Sequence, residues 1–192
     1  MWLISILKYS FSNNCEPVMP TNLANHSASG VGNHPAAPAK PTAVGMGEIQ
    51  AARSPDKLTS VLGSCVGLAL IHPRCKAAAL AHVVLPDSAG KSGTPGKFAD
   101  TALPQMLQRL AELGVPPAGL IAKLSGGANM FGSKGPLQIG DQNIHALRAI
   151  LKKAGIPITG EHVGGNKGRR ITLDCTGGDV TVEVAGGVPV TL

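Results

Sequence analysis

The segment TSVLGSCVG, residues 59–67, places a cysteine directly after a glycine and a serine and before an apolar run. A nucleophilic cysteine needs a base that favours its thiolate, access to substrate, and backbone N–H groups near the developing oxyanion. Gly63 permits a tight turn before Cys65, and the N–H groups near Ser64 and Cys65 can converge on one point. Cys65 is therefore a candidate nucleophile, with Gly63 and Ser64 as candidate oxyanion supports. A buried free cysteine in the core remains the alternative.

A catalytic cysteine also needs a base, and histidine is the expected residue type. The chain has six histidines: His26, His34, His72, His82, His145 and His162. If the apolar segments 65–72 and 77–85 form a hairpin, the start of one strand lies beside the end of the other, and Cys65 and His82 meet. Thr59, six residues before Cys65, is a candidate for the group that orients the imidazole. A core histidine with satisfied hydrogen bonds, and a threonine that caps a turn, remain the alternatives.

Other motifs fit the sequence less well. GSCVG matches a nucleophile elbow with cysteine in place of serine, but that elbow requires a following helix, and the residues after Cys65 are typical of a strand. The H-x-E and P-C-x-x-C motifs of zinc deaminases are missing, and GSKGPL lacks the ending of a P-loop. The cysteines show no zinc-binding spacing. The sequence therefore predicts chemistry without a metal or cofactor.

The elements that must position these residues predict an α+β domain. Apolar residues at helical spacing predict helices in 100–114 and 141–155, with Asp100 and Asp141 as caps. Strands are predicted at 65–72, 77–85, 119–126, 170–175 and 179–186, and less strongly at 156–163. Strict β-α-β alternation is absent, which argues against a doubly wound sheet. Residues 20–44 are small, polar and rich in proline, so we predict a disordered extension over 1–44 and a single domain over 45–192.

Charge and cysteine usage narrow the class of protein. The net charge is +6, and the charged residues are scattered along the chain. The densest cluster of basic residues is Lys167, Arg169 and Arg170, and no aromatic residue lies within it. This pattern favours weak attraction to an acidic protein surface over nucleic-acid binding.

The N-terminal segment and the cysteines indicate the cellular compartment of the protein. The apolar run 2–7 is too short for a signal peptide or a membrane span, and Met19 is an alternative start. We therefore expect no export and no membrane insertion. The four cysteines show no disulfide framework, so a reduced, cytoplasmic protein is expected.

Taken together, these segments resemble the chemoreceptor glutamine deamidases of bacterial chemotaxis, the CheD family. The resemblance is carried, in order and spacing, by LTSVLGSCVGLALIHP, AHVVLPDS, KFADTALPQMLQRLAELG, AKLSGGANMF, IGDQNIHALRAILKKAGIPI and VGGNKGRRITLDCTGG. Residues 1–44 have no counterpart. Ala79 stands where glycine is usual, Val83 replaces a common phenylalanine, and His162 stands where an aspartate often precedes VGG. These departures bear on substrate preference and partner affinity.

The resemblance implies roles for the candidate residues. Cys65 would be the nucleophile, His82 the general base and acid, and Thr59 the group that orients His82. Family members convert particular receptor glutamines to glutamates through a cysteine thioester, and some also hydrolyse receptor glutamyl methyl esters. The implied substrates are the cytoplasmic helices of chemoreceptors, and many members pair with the phosphatase CheC. The implied fold is packed mixed β-sheets with two flanking helices, similar to toxin deamidases such as cytotoxic necrotising factor.

Two rival functions stay open. The first is a non-catalytic adaptor of the same fold that binds receptors or CheC. The second is a thiol hydrolase or a transglutaminase-like enzyme. Ammonia release from a receptor fragment separates the adaptor from the deamidase, and amine incorporation into a glutamine substrate identifies the transglutaminase.

Overall fold

The computed structural model describes residues 15, 40–129 and 138–192, which form ten strands and two helices. In chain order, the elements are β1 Thr42–Ala43, β2 Ile49–Arg53, β3 Lys57–Leu62, β4 Val66–His72, β5 Ala77–Val83, α1 Ala99–Glu112, β6 Ile121–Gly126, α2 Ile139–Ala154, β7 Ile158–Val163, β8 Arg169–Asp174, β9 Val180–Val184 and β10 Val190–Thr191.

The strands form two mixed sheets. The first sheet has the order β1-β3-β8-β9-β10, and the second has the order β2-β5-β4-β6-β7. The pairs β1–β3 and β6–β7 are parallel, and the other pairs are antiparallel. The predicted α+β class, with mixed sheets and two main helices, is confirmed.

The second sheet is the middle layer, so its central strands are buried on both faces. Every residue of β4 and β5 is buried. Because side chains alternate along a strand, Leu68 and Leu70 pack in the core that contains α1 and α2, whereas Ala69 and Ile71 pack in the core that contains the first sheet. This double burial explains why β4 and β5 are continuous apolar runs in the sequence.

Close packing of the two sheets depends on a glycine in β4. A Cβ atom on Gly67 would lie 2.6 Å from Cδ1 of Ile171 and 3.0 Å from Cδ1 of Leu62, both in the first sheet. Glycine is therefore the residue that lets the first sheet approach β4 at this point, directly opposite His82 in the β4–β5 pair.

The helix starts differ from the predicted caps. α1 begins at Ala99, so Asp100 lies inside its first turn, where its carboxylate accepts hydrogen bonds from the backbone N–H and the hydroxyl of Ser88. α2 begins at Ile139, two residues before Asp141, which also lies in the first turn. The predicted end of α2 at Gly155 is confirmed, because this residue adopts the left-handed conformation with φ of 69°.

The folded domain begins earlier than residue 45. β1 pairs with β3, and Val44 is only 3% exposed in the core between the sheets. Strands β1, β2, β3 and β10 were not predicted from the sequence. The rest of the predicted disordered extension, 1–14 and 16–39, lies outside the described residues.

A disulfide bond corrects the expected absence of disulfides. Cys15 and Cys75 are bonded across a sequence separation of 60 residues. Cys75 lies in the turn between β4 and β5, and Cys15 packs against the core beneath the helices. The spacing of Cys15 and Cys75 in the sequence did not indicate a disulfide, because two cysteines so far apart meet only through the tertiary fold.

Candidate active site

Cys65 lies in the bend between β3 and β4, and this bend is fixed by backbone hydrogen bonds from the segment after β6. The N–H of Gly127 donates to the carbonyl of Cys65, and the N–H of Ala128 donates to the carbonyl of Gly63, both at 2.8 Å. Gly126 allows the close approach: its φ is +110°, and a Cβ atom there would overlap the carbonyl oxygen of Cys65. The bend is therefore a rigid feature between two strands, not a free loop.

The predicted hairpin is confirmed, and it brings the two candidate residues together. In the antiparallel β4–β5 pair, Gly67 lies opposite His82. Cys65 is two residues before Gly67, so it is a diagonal neighbour of His82, at a Cα separation of about 7–8 Å in an ordinary antiparallel pair. Cys65 packs against the core between the two sheets. The neighbours of His82 in β5, Ala81 and Val83, face the core that contains the helices. Because side chains alternate along a strand, His82 faces the first sheet, as Cys65 does.

His82 is buried, with 4% of its surface exposed, and its Nδ1 atom faces two polar groups. The hydroxyl oxygen of Ser60 lies 2.9 Å away, and the carbonyl oxygen of Val44 lies 3.5 Å away. The Ser60 hydroxyl donates its proton to the Val44 carbonyl at 2.8 Å. Because that proton is committed, Ser60 accepts from Nδ1–H of His82, which leaves the lone pair on Nε2. This is the tautomer that a general base requires.

Thr59 is not the residue in contact with His82. Its hydroxyl donates to the carbonyl of Ile171 at 2.7 Å and lies 3.4 Å from the hydroxyl of Thr172. Thr59 and Ser60 are consecutive residues of β3, so their side chains point to opposite faces of the first sheet. The structure therefore places Ser60, which was not predicted, where the sequence analysis expected Thr59.

Burial holds both candidate groups in their neutral forms. It raises the pKa of the Cys65 thiol, and a hydrogen bond from the backbone N–H of the same residue opposes that effect. It lowers the pKa of His82, against the opposing influence of the Val44 carbonyl and the charge of Glu48. Both directions favour the neutral forms, a thiol at Cys65 and a neutral imidazole at His82.

Asn143 of α2 is a polar residue of this region that the sequence analysis missed. It is fully buried, and its Nδ2 atom lies 2.9 Å from the carbonyl oxygen of Val84 and 3.3 Å from that of Ser64. The apolar periodicity of α2 gave no reason to single out one polar residue on its buried face.

Two other described histidines, His72 and His145, lie in different surroundings. His72 bonds through Nδ1 to the backbone N–H of Cys75 and through Nε2 to the carbonyl of Ala118. His145 lies on an exposed turn of α2, beside a cleft of about 580 Å³ whose lining does not include Cys65 or His82. His26 and His34 lie outside the described residues. His82 is the histidine that the β4–β5 register places diagonal to Cys65.

His162 accepts a hydrogen bond at Nδ1 from Arg169, at 2.8 Å. Arg169 is buried, with 5% of its surface exposed, and it also donates to the carbonyls of His162 and Gly164. The basic cluster seen in the sequence is therefore divided, since its central arginine is an internal structural residue.

The remaining cysteines differ from Cys65 in their chemistry. Cys175 is 2% exposed, and burial raises the pKa of its thiol to about 11. The sulfur atoms of Cys15 and Cys75 lie near His72, within 4.8 Å, but they are joined to each other in the disulfide and offer no thiolate to a metal.

Comparison with known proteins identifies the family. The family model for CheD chemotactic sensory transduction matches residues 84–184. A probable chemoreceptor glutamine deamidase CheD of Methanococcus vannielii is 42% identical over 142 residues, which cover 73% of this chain and 92% of the relative. The chemoreceptor glutamine deamidase CheD of Thermotoga maritima is 40% identical over 145 residues, which cover 75% of this chain and 92% of the relative. The chain belongs to the CheD family.

The CheD family model begins its match two residues after His82, so Cys65 and His82 both precede the matched span. A Clostridium botulinum relative, also named probable chemoreceptor glutamine deamidase CheD, is 42% identical over 149 residues and covers 74% of this CheD chain. Across the described residues, neither helix is long and apolar enough to cross a membrane.

Proposed function

We propose that this CheD protein is a protein-glutamine deamidase that converts glutamine side chains of chemoreceptors to glutamate, with Cys65 as nucleophile and His82 as general base and acid. The observation that carries the proposal is the β4–β5 register, which puts Cys65 diagonal to a buried His82 whose Nδ1 is engaged. The deamidase names of the relatives support the same activity.

The first half of the reaction forms a thioester. His82 takes the proton of the Cys65 thiol at Nε2, and the resulting thiolate attacks the side-chain amide carbon of the glutamine. The carbonyl oxygen becomes an oxyanion. His82 then returns its proton to the amide nitrogen, the C–N bond breaks, and ammonia leaves a γ-glutamyl thioester on Cys65.

The second half hydrolyses the thioester. His82 takes a proton from water, and the hydroxide attacks the thioester carbon. When the C–S bond breaks, the proton returns to the sulfur. The products are the glutamate side chain and the free thiol, so one water is consumed and one ammonia is released without a net change in the enzyme.

The bend before β4 supplies the proposed oxyanion donors. The backbone N–H groups of Ser64 and Cys65 would bind the oxyanion, and Gly63 gives the turn its backbone freedom. One donor of this kind is typically worth about 3 kcal/mol to the transition state.

The orienting hydroxyl is the second part of the catalytic proposal. We assign it to Ser60, because Ser60 bonds Nδ1 of His82 and Thr59 bonds the carbonyl of Ile171. A Ser60 that accepts from Nδ1–H and donates to Val44 holds the imidazole ring and its tautomer, as the third member of a catalytic triad does.

The setting of the reaction follows from the family resemblance. The substrates would be cytoplasmic helices of chemoreceptors, CheC would be a regulatory partner, and receptor methylesterase activity would use the same thiol. The protein would act in the cytoplasm, and its likeness to the toxin deamidases would extend to the arrangement of its sheets. A new glutamate adds negative charge to a receptor helix and alters packing between neighbouring helices.

The test is ammonia release from a purified chemoreceptor signalling domain, with mass spectrometry of the modified residue. Cys65→Ala should abolish release, because no other group can form the thioester, and it should retain receptor binding. The matched control is Cys175→Ala, which removes a buried thiol outside the site and should stay near wild type. Binding without ammonia release by the wild type would establish the adaptor, and amine incorporation would establish a transglutaminase.

A further inference from the structure

Asn143 connects the two halves of the candidate site. Its side chain is fully buried in α2, and its Nδ2 atom donates to one carbonyl on each side of the catalytic pair. The Ser64 carbonyl belongs to the bend that carries Cys65, at 3.3 Å, and the Val84 carbonyl lies two residues after His82, at 2.9 Å. Both protons of one amide group are thus directed at the two segments that must stay in register.

The hydrogen bond to Ser64 fixes the direction of a proposed oxyanion donor. The peptide bond between Ser64 and Cys65 is trans, so its N–H points opposite to its carbonyl. With the carbonyl held by Asn143, the N–H of Cys65 is directed away from α2. Among the described residues, no backbone carbonyl accepts from this N–H.

The neighbouring peptide bond is held in the same way. The Gly63 carbonyl accepts from the N–H of Ala128, so the N–H of Ser64 also points away from the segment after β6. Asn143 and Ala128 therefore orient two consecutive N–H groups. The hydrogen bond from Ala128 is made by its backbone, whereas the hydrogen bond from Asn143 is made by its side chain, so a substitution at Asn143 can remove it.

The rest of the Asn143 side chain shows that packing does not explain an asparagine here. Its Oδ1 atom is buried and has no hydrogen-bond partner in the described structure, which is unfavourable. The other large residues on the buried face of α2 are apolar: Ile144, Leu147 and Leu151. A leucine would complete that face, so the asparagine is explained by the two bonds of Nδ2.

We propose that Asn143 is a positioning residue that holds the Ser64–Cys65 peptide in the orientation needed for oxyanion binding and ties it to Val84, the residue that follows the strand of His82. This inference rests on the proposed function and adds a residue to it. Asn143 touches neither substrate nor sulfur and acts through the backbone of the bend.

The test compares two reactions of the same thiol. Acylation of Cys65 by p-nitrophenyl acetate develops an oxyanion, whereas alkylation by iodoacetamide does not, and both depend equally on thiolate formation. Asn143→Leu has similar volume and no donor. It should lower the acylation rate relative to the alkylation rate by about tenfold or more, a part of the 10²–10³-fold typical of a lost oxyanion donor. The kcat for deamidation should fall with little change in KM for the receptor.

Two further variants keep the test decisive. Asn143→Asp has the same shape and no amide donor, and it gives the same comparison if Asn143→Leu does not fold. Ile144→Val, the adjacent buried residue, should lower thermal stability and leave the ratio of the two rates at the wild-type value.

An unchanged ratio in the folded Asn143 variants, or an equal loss of both reactions, overturns the positioning role. These results are distinct from a failure of the proposed function itself. That failure would appear as deamidation by Cys65→Ala, or as a wild-type protein that releases no ammonia.

Discussion

At the residue scale, the candidate site consists of two groups, the Cys65 thiol and the His82 imidazole, whose neutral forms are favoured by burial. Burial raises the pKa of Cys65 and lowers that of His82, so charge separation is unfavourable before substrate binds. In the proposed mechanism the proton moves from Cys65 during the reaction, and the orientation of His82 decides whether its Nε2 can receive it. Two predictions concern this step.

Replacement of the Ser60 hydroxyl should lower turnover, because it removes the acceptor that fixes the tautomer of His82. We expect Ser60→Ala to lower kcat by roughly tenfold or more, a part of the 10²–10⁴-fold supplied by general acid–base catalysis. Ser60→Thr keeps a hydroxyl and should restore most of the rate. Thr59→Val, the matched change on the opposite face of β3, should stay within about twofold of wild type. A large loss in Thr59→Val with a normal Ser60→Ala would return the orienting role to Thr59.

The pH dependence should follow from the lowered pKa of His82. The proposed mechanism needs neutral His82, so the acidic limb of the kcat/KM profile should lie below the ordinary histidine value of 6.5. The same group makes folding stability fall as pH drops through 6.5 and below, because His82 in the unfolded chain takes up a proton that the folded chain excludes. A pH series of receptor deamidation and urea unfolding measures both. Rapid alkylation of Cys65 that is independent of pH down to pH 6 would instead indicate a preformed ion pair.

At the element scale, the site depends on where β3, β4, β5 and α2 meet. β4 and β5 align Cys65 with His82, β3 presents Ser60 from the opposing sheet, and α2 contributes Asn143. The distance between the sheets is therefore part of the geometry of the candidate site. Gly67 controls that distance at the residue opposite His82.

Gly67→Ala should separate the sheets at the site. The added methyl group would overlap side chains of Ile171 and Leu62, so we expect a loss of about 1–3 kcal/mol in the free energy of unfolding, as for other overpacked cores. Deamidation should fall further than stability alone explains, because Ser60 would move from His82. Urea unfolding and receptor deamidation measure the two effects. Gly187→Ala, where the nearest atom lies at 3.4 Å, is the control. Normal activity in Gly67→Ala would show that the sheet spacing does not govern the site.

At the scale of the whole molecule, the N-terminal segment takes part in the fold. The Val44 carbonyl accepts from Ser60 and lies 3.5 Å from Nδ1 of His82, although residue 44 fell inside the extension predicted to be disordered. The disulfide between Cys15 and Cys75 adds a second connection, to the far end of the β4–β5 hairpin.

Two truncations should separate these contributions. Deletion of residues 1–39 removes the disulfide and should lower stability by about 2–4 kcal/mol, with deamidation of the folded protein near wild type. Deletion of residues 1–44 also removes β1 and the Val44 carbonyl, and it should reduce deamidation sharply. Thermal unfolding and ammonia release distinguish the two variants. Full activity after deletion of 1–44 would show that the domain is complete without β1.

The sequence alone determined the fold class, both helices and the β4–β5 hairpin, and it predicted the pairing of Cys65 with His82, which stays a prediction. These features depend on local periodicity and on short connections, which are visible along the chain.

Only the tertiary structure decided which polar groups surround that pair. β3 was not predicted as a strand, so nothing in the sequence showed that Thr59 and Ser60 face opposite sides or which of them meets His82. Asn143 lies 78 residues beyond Cys65 in the chain, and Cys15 lies 60 residues before Cys75. Such contacts arise from the packing of separate layers. The alternation of side chains within one segment shows which residues share a face of that element, but it does not show which neighbour that face contacts.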